Sequence, residues 1–521
     1  MEGSLKQNDI VILTLNARFI HSAFGLRYLK ANLGDLQERC ALLEFTIHQR
    51  PIDIVEKILA EDPKIVGLGI YIWNVLESTR VVSLLKKVAP EIKIVLGGPE
   101  VSYEWDKQNI ITLCDYLICG EGESQFSKLC EDILAGQPPR EKIFAASPVE
   151  IADLKSPYGL YEDEDIENRI IYVEASRGCP FRCEFCLSAL AKSVRQFDLD
   201  AFLDEMDALG KRGVRHFKFV DRTFNLKLDI TLRILAFFRE RVDQGYVAHF
   251  ELVPDRLPEA LRDVIADFPP ATLQFEVGIQ TFNVDVAKLI SRRQNYAKLE
   301  DNFAFLRDHT SVHVHADLIA GLPGEDLNSF AIGFNRLVEL GPEEVQLGIL
   351  KRLRGTPIIR HTDKYKMVFS DYPPYEVLST REVNFQDMQA MKRFARYWDL
   401  IGNSGNFLHT LKYILGEDPF ASFMRFSKWL FEQTQRTFKI SLARLVGLVL
   451  DYLVAEGKDA VEMAHILAED FRRPGRRKIP KALHPWIDKS LWSVNIDDKK
   501  SSERFARQAR FLTSEEGATQ S

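Results

Sequence analysis

The sequence predicts an α/β protein of three units: a doubly wound parallel sheet, a partial barrel of six strand–helix steps, and a helical C-terminal region. Three observations lead to this prediction. Short apolar runs alternate with amphipathic helix patterns over residues 9–145, and the alternation restarts with a different period from Ile170. After about residue 360 only helical patterns remain. The predicted boundaries are 1–140, a linker at 141–168, 169–360, 361–490 and a flexible tail at 491–521.

Four apolar runs in the first unit have the composition of buried strands. They cover residues 9–15, 64–72, 93–98 and 115–123. Apolar strands separated by helices predict a parallel sheet that is buried on both faces. Ligands of such sheets bind at the carboxyl ends of the strands. At those ends the sequence carries Asn16, His21, Trp73, Gly97, Gly98, Glu100, Gly120, Glu121, Gly122 and Glu123.

The segment between the two alternating units contains prolines and an acidic run, Glu162–Glu167, which is interpreted as a solvated loop. Beyond it, six strand candidates lie at 170–175, 214–220, 246–252, 272–277, 312–319 and 343–349. Helix patterns separate them at 199–211, 228–241, 257–267, 297–308 and 327–339. Six steps predict a partial β/α barrel, because a complete barrel would need eight.

Amphipathic helix patterns occupy most of the C-terminal region, at 384–401, 421–435, 439–456 and 459–471. Two loops in this region are candidate binding elements. Asn403–Asn406 is a candidate substrate contact at the barrel mouth. The basic stretch 472–481 could bind an anion, although a solvated loop is the preferred interpretation.

Composition narrows the class of protein further. The chain has 521 residues, of which 46% are hydrophobic and 27% charged, as in ordinary globular proteins. The net charge of -7 argues against a nucleic-acid substrate. No apolar run resembles a leader or reaches the ~20 residues needed to cross a bilayer, so we expect a cytoplasmic protein with no membrane segment. The seven cysteines are too few and too unevenly spaced for a disulfide framework.

Three cysteines fall within eight residues, directly after the first strand of the second unit. Cys179, Cys183 and Cys186 have the spacing with which one short loop can present three thiolates to an inorganic cluster. Three ligands leave one metal position open, and an open position indicates a catalytic metal site and not a structural one. The alternatives are a zinc site and three unrelated buried thiols. Zinc ribbons use two separated CxxC pairs, which this chain lacks.

At these residues the sequence resembles the radical S-adenosylmethionine (radical SAM) superfamily. The CxxxCxxC loop, with an aromatic residue before its last cysteine, is the mark of that superfamily; here the aromatic residue is Phe185. The resemblance implies a 4Fe–4S cluster on the three cysteines. It also implies that the amino and carboxylate groups of S-adenosylmethionine fill the open iron position, and that reductive cleavage gives a 5′-deoxyadenosyl radical.

Four further segments match the same superfamily with less specificity. Asp221 ends the second strand, where the superfamily contacts the methionine amine, although the usual glycine-rich form of that motif is missing. Arg292 or Arg293 could pair with the ligand carboxylate. The remaining implied cofactor-binding residues are Glu276 and Gln280 of a Glu-x-Gly-x-Gln segment, and Asp317, Gly321 and Gly324 of a stretch that packs on adenine.

Placed directly before such a barrel, the first unit resembles a cobalamin-binding domain. The matching parts are Gly97–Glu100 and Gly120–Glu123, where glycine lets the backbone approach the corrin tail closely. The Asp-x-His-x-x-Gly motif that ligates cobalt from below in some of these domains is absent. His21 fits a hydrogen-bonding group better than a cobalt ligand.

Together the resemblances imply a cobalamin-dependent radical SAM enzyme, with a C-terminal helical domain of unassigned function. Its expected reaction is methylation of an unactivated carbon through the 5′-deoxyadenosyl radical and methylcobalamin. The expected partners are a small-molecule or peptide substrate and an electron donor such as flavodoxin or ferredoxin. Three alternatives remain open: a cobalamin-using rearrangement or cyclisation, a tRNA methylthiotransferase, and a corrinoid sensor without catalysis.

Overall fold

A computed structural model describes residues 8–191, 193–474 and 478–492 of the chain. The first sheet has the strand order β2-β1-β3-β4-β5-β6, and all its strands are parallel. The four predicted strands are present, and two that were not predicted extend the sheet at its edges. The strands are β1 Ile10–Asn16, β2 Cys40–Thr46, β3 Ile65–Gly69, β4 Lys93–Gly97, β5 Tyr116–Cys119 and β6 Ile143–Ala145; the helices are α1 Phe24–Ala31, α2 Pro51–Leu59, α3 Val75–Val88, α4 Asn109–Leu113 and α5 Glu123–Leu134.

The two additional strands differ from the others in composition. All seven residues of β1 are buried, as expected for a strand with neighbours on both sides and helices on both faces. The edge strand β2 is mostly half-buried and contains Glu44, so it lacks the continuous apolar run of a central strand. The three residues of β6 pair with β5 from within the interval that was predicted to be a linker.

The acidic run before the barrel is a short helix, α6 Asp163–Asn168, and the interpretation as a solvated loop is wrong. The Asp165 carboxylate is buried and accepts from Arg27 at 2.6 Å. Arg27 also pairs with Glu44 at 2.7 Å, and Arg169 contacts both carboxylates, at 2.7 and 3.3 Å. Two buried cations and two buried anions therefore join the first sheet to the segment that leads into the barrel.

The second unit is a six-stranded parallel sheet with the order β14-β13-β12-β11-β10-β7, and all six predicted strands are confirmed. A hairpin of β8 and β9 was not predicted. The strands are β7 Ile171–Val173, β8 Ser176–Arg177, β9 Arg195–Gln196, β10 His216–Phe219, β11 Val247–Leu252, β12 Leu273–Gln280, β13 His313–Ala320 and β14 Glu344–Ile349; the helices are α7 Leu199–Lys211, α8 Leu228–Arg239, α9 Glu259–Ala266, α10 Val284–Leu289, α11 Tyr296–His309 and α12 Leu327–Leu340.

The four predicted C-terminal helices are present, but the strands do not stop at residue 360. An antiparallel hairpin comes first, β15 Val368–Phe369 with β16 Val377–Ser379. The helices are α13 Phe385–Ile401, α14 Leu411–Leu415, α15 Pro419–Thr434, α16 Leu442–Ala455 and α17 Ala460–Arg472. Buried aromatic side chains continue from the barrel helices into α13 and α15, so the C-terminal helices share the core of the barrel.

The two candidate loops of this region lie elsewhere than predicted. The Asn403 side chain donates to the Val345 carbonyl and accepts from the Val345 amide, both at 2.9 Å, at the amino end of β14 and not at the barrel mouth. Arg472 and Arg473 donate to the carbonyls of Leu491 and Gly405, so this part of the basic stretch is not simply solvated. Arg476, Arg477 and the predicted tail from 493 lie outside the described residues.

Among the described residues, no helix has both the length and the apolar character required for a membrane span.

Candidate functional site

The cysteine loop lies at the carboxyl end of the barrel strands, between β8 and β9. Cys179 and Cys183 are buried and Cys186 is half-buried, and all three thiols are free. They line one cavity together with Phe185. Gly178 has a φ of +97°, and a Cβ at this position would clash with the carbonyl oxygen of Ser193. A glycine is therefore required where the loop begins, because the two ends of the loop lie too close together for a side chain.

Glu184, between the second and third cysteines, holds the loop from behind. Its buried carboxylate accepts from Ser291 at 2.6 Å, from Arg360 at 2.8 Å and pairs with His361 at 2.9 Å. Its backbone amide donates to Ile290, and its carbonyl accepts from Ile358. This hub was not identified from the sequence, because its partners lie more than one hundred positions away along the chain.

The opposite wall of this cavity, which we call the cysteine cavity, comes from the ends of β11, β12 and β13. It includes Glu276, Gln280, Arg292, Arg293 and Asp317, which the sequence singled out, and also Arg222 and Glu251, which it did not. The Arg292 guanidinium donates to the Cys183 sulphur at 3.4 Å and to the Gly278 carbonyl. A bulge separates Gly278 from Gln280, whose φ is +73°. Such a conformation is strained for a residue with a side chain and is typical of functional sites.

The thiol set fits an iron–sulphur cluster better than a single zinc ion. Tetrahedral zinc, at about 2.3 Å from each sulphur, would bring the thiolates to about 3.8 Å from one another. Among the described residues, the three thiols are not a group whose sulphur atoms all lie within 4.8 Å. The cationic Arg292 beside Cys183 also suits a cluster held by anionic thiolates.

Three carboxyl groups in the cysteine cavity differ in the direction in which their surroundings shift the pKa. The hydrogen bond from His249 lowers the pKa of Glu276 to about 2, so this group is ionised at neutral pH. Burial and the neighbouring charges of Glu276 and Glu251 raise the pKa of Asp317 well above its usual value. Burial also raises the pKa of Glu251, although Arg222 pairs with it at 2.7 Å. The cavity thus offers an anionic acceptor at Glu276 and, at Asp317, a carboxyl whose surroundings favour its protonated form.

Asp221 lies outside the residues that line the cysteine cavity. Its carboxyl accepts from the Ala175 amide at 3.0 Å and from the Ser176 hydroxyl at 2.6 Å, so it holds the start of the β8–β9 hairpin. Burial raises its pKa to about 7. The structure therefore places Asp221 behind the cysteine loop, where it supports the hairpin.

We expect Asp221→Asn to change how stability depends on pH. Because the folded pKa is raised above the ordinary 3.8, the protonated form stabilises the fold. The contribution of Asp221 to wild-type stability should fall as pH rises from about 4 through about 7, at a rate approaching 1.4 kcal/mol per pH unit. Asparagine imitates the protonated acid, so the difference in unfolding free energy between variant and wild type, measured in urea at each pH, should shift in favour of the variant. A difference that stays constant from pH 4 to 8 would contradict this assignment.

Gly321 and Gly324 also face away from the cysteine cavity. Both have positive φ, and a Cβ at Gly321 would lie 2.5 Å from Val377 and 3.0 Å from Met388. A Cβ at Gly324 would lie 3.1 Å from Tyr365. These glycines let the turn after β13 pack against the C-terminal region, and only Asp317 of the predicted stretch reaches the cavity.

A second cavity, the glycine cavity, lies between the first sheet and helices α1 and α5. Gly97, Gly98, Gly120, Gly122 and their acidic neighbours line it, as the sequence predicted. Its remaining walls are apolar or lack side chains, from Gly25, Leu26, Leu29, Gly67, Leu68, Gly69, Tyr71, Val95, Leu96, Ile118 and Phe126. A Cβ at Gly98 would lie 2.5 Å from the Ile70 carbonyl. The cavity exists because side chains are missing from several adjacent strand ends, as a site for a bulky flat cofactor requires.

Four of the predicted cofactor-binding residues lie outside the lining of the glycine cavity. His21 hydrogen bonds to the Tyr172 hydroxyl at 2.7 Å, and Asn16 donates to Glu44 at 2.7 Å. Glu100 accepts from Tyr375 at 2.6 Å and from Arg354 at 2.9 Å. Trp73 is 46% exposed and stacks on Tyr71, with 4.5 Å between ring centroids. Among them, His21 and Glu100 therefore join the first unit to the barrel and to the segment behind it.

The two cavities are linked through the β8–β9 hairpin. Arg177, two residues before Cys179, pairs with Glu123 at 2.7 Å and with Glu174 at 2.9 Å. Arg195 on the facing strand pairs with Glu121. The strand that leads into the cysteine loop is thus fixed by two carboxylates from the rim of the glycine cavity. Sequence reasoning identified both carboxylates but neither arginine.

Comparisons with known proteins agree with this arrangement of domains. Residues 10–130 match the B12 binding domain, residues 173–332 the radical SAM superfamily, and residues 363–514 a family described as a protein of unknown function, DUF4080. The chain therefore contains a radical SAM domain that is preceded by a B12-binding domain. More particularly, these two domains are followed by a C-terminal region that matches the DUF4080 family.

Curated relatives and a solved structure each resemble part of this chain. A 2-(S-pantetheinyl)-carbapenam-3-carboxylate methyltransferase of Streptantibioticus cattleyicolor is 26% identical over 56% of this chain and 48% of its own. The cobalamin-dependent radical SAM methyltransferase TokK of Streptomyces tokunonensis is 25% identical over 56% and 47%. The chain thus spans about half the length of these relatives. The fold also resembles the radical SAM methyltransferase TsrM of Kitasatospora setae, solved with cobalamin and a [4Fe-4S] cluster, with a TM-score of 0.57 and 16% identity over 70% of this chain and 78% of that one.

Proposed function

We propose that the protein is a cobalamin-dependent radical SAM enzyme that methylates an unactivated carbon of a small-molecule or peptide substrate. The observation that carries this proposal is the pairing of the cysteine cavity with the glycine cavity through Arg177. The matches to a B12-binding and a radical SAM domain support it, as do two curated relatives named as methyltransferases.

Cys179, Cys183 and Cys186 would hold a 4Fe–4S cluster, and this group would supply the electron for reductive cleavage of S-adenosylmethionine. The protein positions this chemistry. Glu184 fixes the loop against the segment behind the barrel, and Arg292 lies against the Cys183 sulphur. Arg293 lines the same cavity and can pair with the ligand carboxylate. The ionised Glu276 would accept a hydrogen bond from an ammonium group.

The glycine cavity would hold cobalamin, which supplies a transferable methyl group when bound. Gly97, Gly98, Gly120 and Gly122 leave room for a cofactor where strands β4 and β5 end. Glu121 and Glu123 turn away toward the hairpin arginines and close the rim. In this arrangement the apolar walls of the glycine cavity would exclude water from a bound cofactor, and the ion pairs of Arg177 and Arg195 join the rim of that cavity to the hairpin of the cysteine loop.

The direct test needs no knowledge of the substrate. Anaerobically reconstituted protein with hydroxocobalamin, a reductant and methyl-labelled S-adenosylmethionine should transfer the label to the extracted corrinoid, as mass spectrometry would detect. The visible spectrum of the same sample reports the cluster and the corrinoid together. If corrinoid binds but carries no label, a rearrangement or cyclisation replaces methyl transfer as the reaction.

A methylthiotransferase and a corrinoid sensor would each be distinguished by a simple measurement. Methylthiotransferases carry a second cluster, so iron near eight per chain, and not near four, would favour that class. Cys40, Cys114 and Cys130 are buried in the apolar cores of the first unit, which suits packing. A corrinoid sensor would form no 5′-deoxyadenosine on reduction although its cluster is intact.

An electron donor such as flavodoxin or ferredoxin and a cytoplasmic location complete the proposal. The first is required because the cluster must receive an electron for each cleavage. The second is supported by seven free cysteines, which are typical of a reducing compartment.

We expect Gly97→Leu to weaken cobalamin binding by at least about tenfold, because a well-placed leucine would fill the cavity and forfeit more than about 1.4 kcal/mol of binding. The backbone tolerates the change, since a Cβ at Gly97 meets only the Ile118 carbonyl oxygen at 3.6 Å. Gly159→Leu is the matched control, because nothing lies within 4 Å of its Cβ and it is exposed. Titration with hydroxocobalamin, followed by absorption, measures both. Equal affinity of the two variants would argue against the glycine cavity as the corrinoid site.

A further inference from the structure

We propose that the barrel contains a second metal site, for a divalent transition-metal ion, formed by His313, His315 and Glu344. His313 and His315 are two residues apart on β13, so their side chains lie on the same face of the sheet. Glu344 is the first residue of the neighbouring strand β14 and pairs in register with His315. In the described residues, these are the one group of histidine, cysteine and acidic side chains whose ligand atoms all lie within 4.8 Å of one another. This inference is independent of the proposed methyl transfer.

The spacing of the three side chains is that of a coordination sphere. The Glu344 Oε1 atom lies 3.2 Å from Nε2 of His313 and 3.5 Å from Nε2 of His315. Ligand atoms about 2.1 Å from a tetrahedral zinc ion lie about 3.4 Å from one another. Two imidazoles and one carboxylate are a common set for zinc and for non-haem iron.

The site is buried and its supporting contacts are rigid. The side chains of His313 and Glu344 are 7% and 6% exposed, and that of His315 is 18% exposed. Next to Glu344, the amide of Asn403 pairs with both backbone groups of Val345. Next to His313, the Glu343 carboxylate accepts from the Val314 amide at 2.7 Å. Both strands that carry ligands are therefore held in place from outside, as metal sites require.

The site is separate from the cysteine cavity. It lies at the amino ends of β13 and β14, whereas the cysteine loop lies at the carboxyl ends. Asp317, which lines that cavity, follows His315 by two residues on the same face, or about 7 Å along the strand. His249 contacts both the proposed site and the cysteine cavity. Its ring meets His315 edge-on, and its Nε2 atom hydrogen bonds to Glu276, which lines that cavity. Polar side chains inside the barrel thus follow one another from the cysteine cavity to the proposed ion, which would lie at the amino ends of the strands.

The test uses the full chain with Cys179, Cys183 and Cys186 replaced by alanine, so that the cluster ligands cannot bind the probe. After removal of metal with a chelator, titration with Co²⁺ should give one equivalent bound and a visible absorption of four-coordinate Co²⁺. Adding Glu344→Gln or His315→Gln should weaken Co²⁺ binding at least tenfold. Adding His309→Gln, which alters an exposed histidine at the end of α11 outside the ligand set, should leave the affinity unchanged.

A second measurement keeps the proposal testable if the cysteine variant does not fold. The unaltered chain, purified after growth with zinc, should contain one zinc more than Glu344→Gln does by elemental analysis. No Co²⁺ or zinc bound, or binding that Glu344→Gln does not change, would overturn the proposal and leave an imidazole–carboxylate cluster. Failure of methyl transfer would not affect either result.

Discussion

Replacing Cys179, Cys183 or Cys186 by alanine is expected to abolish reductive cleavage of S-adenosylmethionine. Each thiol lines the cysteine cavity, and a cubane that has lost one of three protein ligands is no longer held at a defined position. Iron in the reconstituted protein should fall from about four atoms per chain to near zero. Formation of 5′-deoxyadenosine with dithionite as the reductant should fall to the level of a sample without protein.

Cys119→Ala is the matched control for this prediction. Cys119 is a half-buried free thiol at the end of β5, in the other domain, and it makes no contact with the cysteine loop among the interactions of the described residues. Its removal should leave the iron content and the cleavage rate unchanged. Cleavage that persists in any one of the three loop variants would show that the cluster is held elsewhere.

Replacing Arg27 by methionine is expected to lower the free energy of unfolding by about 3–5 kcal/mol, because it leaves a buried charge uncompensated. Arg27 lies between Glu44 and Asp165, at 2.7 and 2.6 Å, and Arg169 alone would remain to balance both carboxylates. The change in the free energy of unfolding is measured by urea unfolding of the whole chain, monitored by tryptophan fluorescence. It should be seen in the first unfolding transition.

Two further variants make this prediction specific. Arg50→Met removes an exposed arginine that also pairs with an aspartate at 2.6 Å, and its unfolding should match wild type. The double variant Arg27→Met, Asp165→Asn leaves the neutral pair Glu44–Arg169 and should recover part of the loss, which would measure the coupling between the two positions. If Arg27→Met unfolds at the wild-type urea concentration, the buried network does not hold the domains together.

Local sequence signals predicted the elements that depend on local patterns. All six barrel strands, the four central strands of the first sheet and the cysteine loop follow from apolar runs and spacing within a few residues. Strand β2 was not predicted, because it contains Glu44, whose charge is balanced by Arg27 from another element. The acidic run was misinterpreted for the same reason, since Asp165 is buried only because two arginines meet it.

In the candidate site, too, the residues that could be predicted are those whose signal is local in the sequence. The glycines of the first unit and the cysteines of the second could be predicted, because the absence of a side chain and a short ligand spacing are visible in the sequence. The roles of Glu184, Arg177 and Arg354 depend on partners from distant segments, which only the fold brings together. Asp221 has the expected position at a strand end, but its carboxyl turns to the backbone of Ala175 and supports the loop from behind.

The position of Arg177 has a consequence for how the protein matures. Its guanidinium touches Glu123 of the first domain and Glu174 of the barrel, and it lies over the ring of Tyr28, 4.5 Å from the ring centroid. The strand that leads into the cysteine loop is therefore held by contacts from both the first domain and the barrel. We therefore expect insertion of a cluster into this loop to depend on residues of both domains, because one guanidinium pairs with Glu123 and with Glu174.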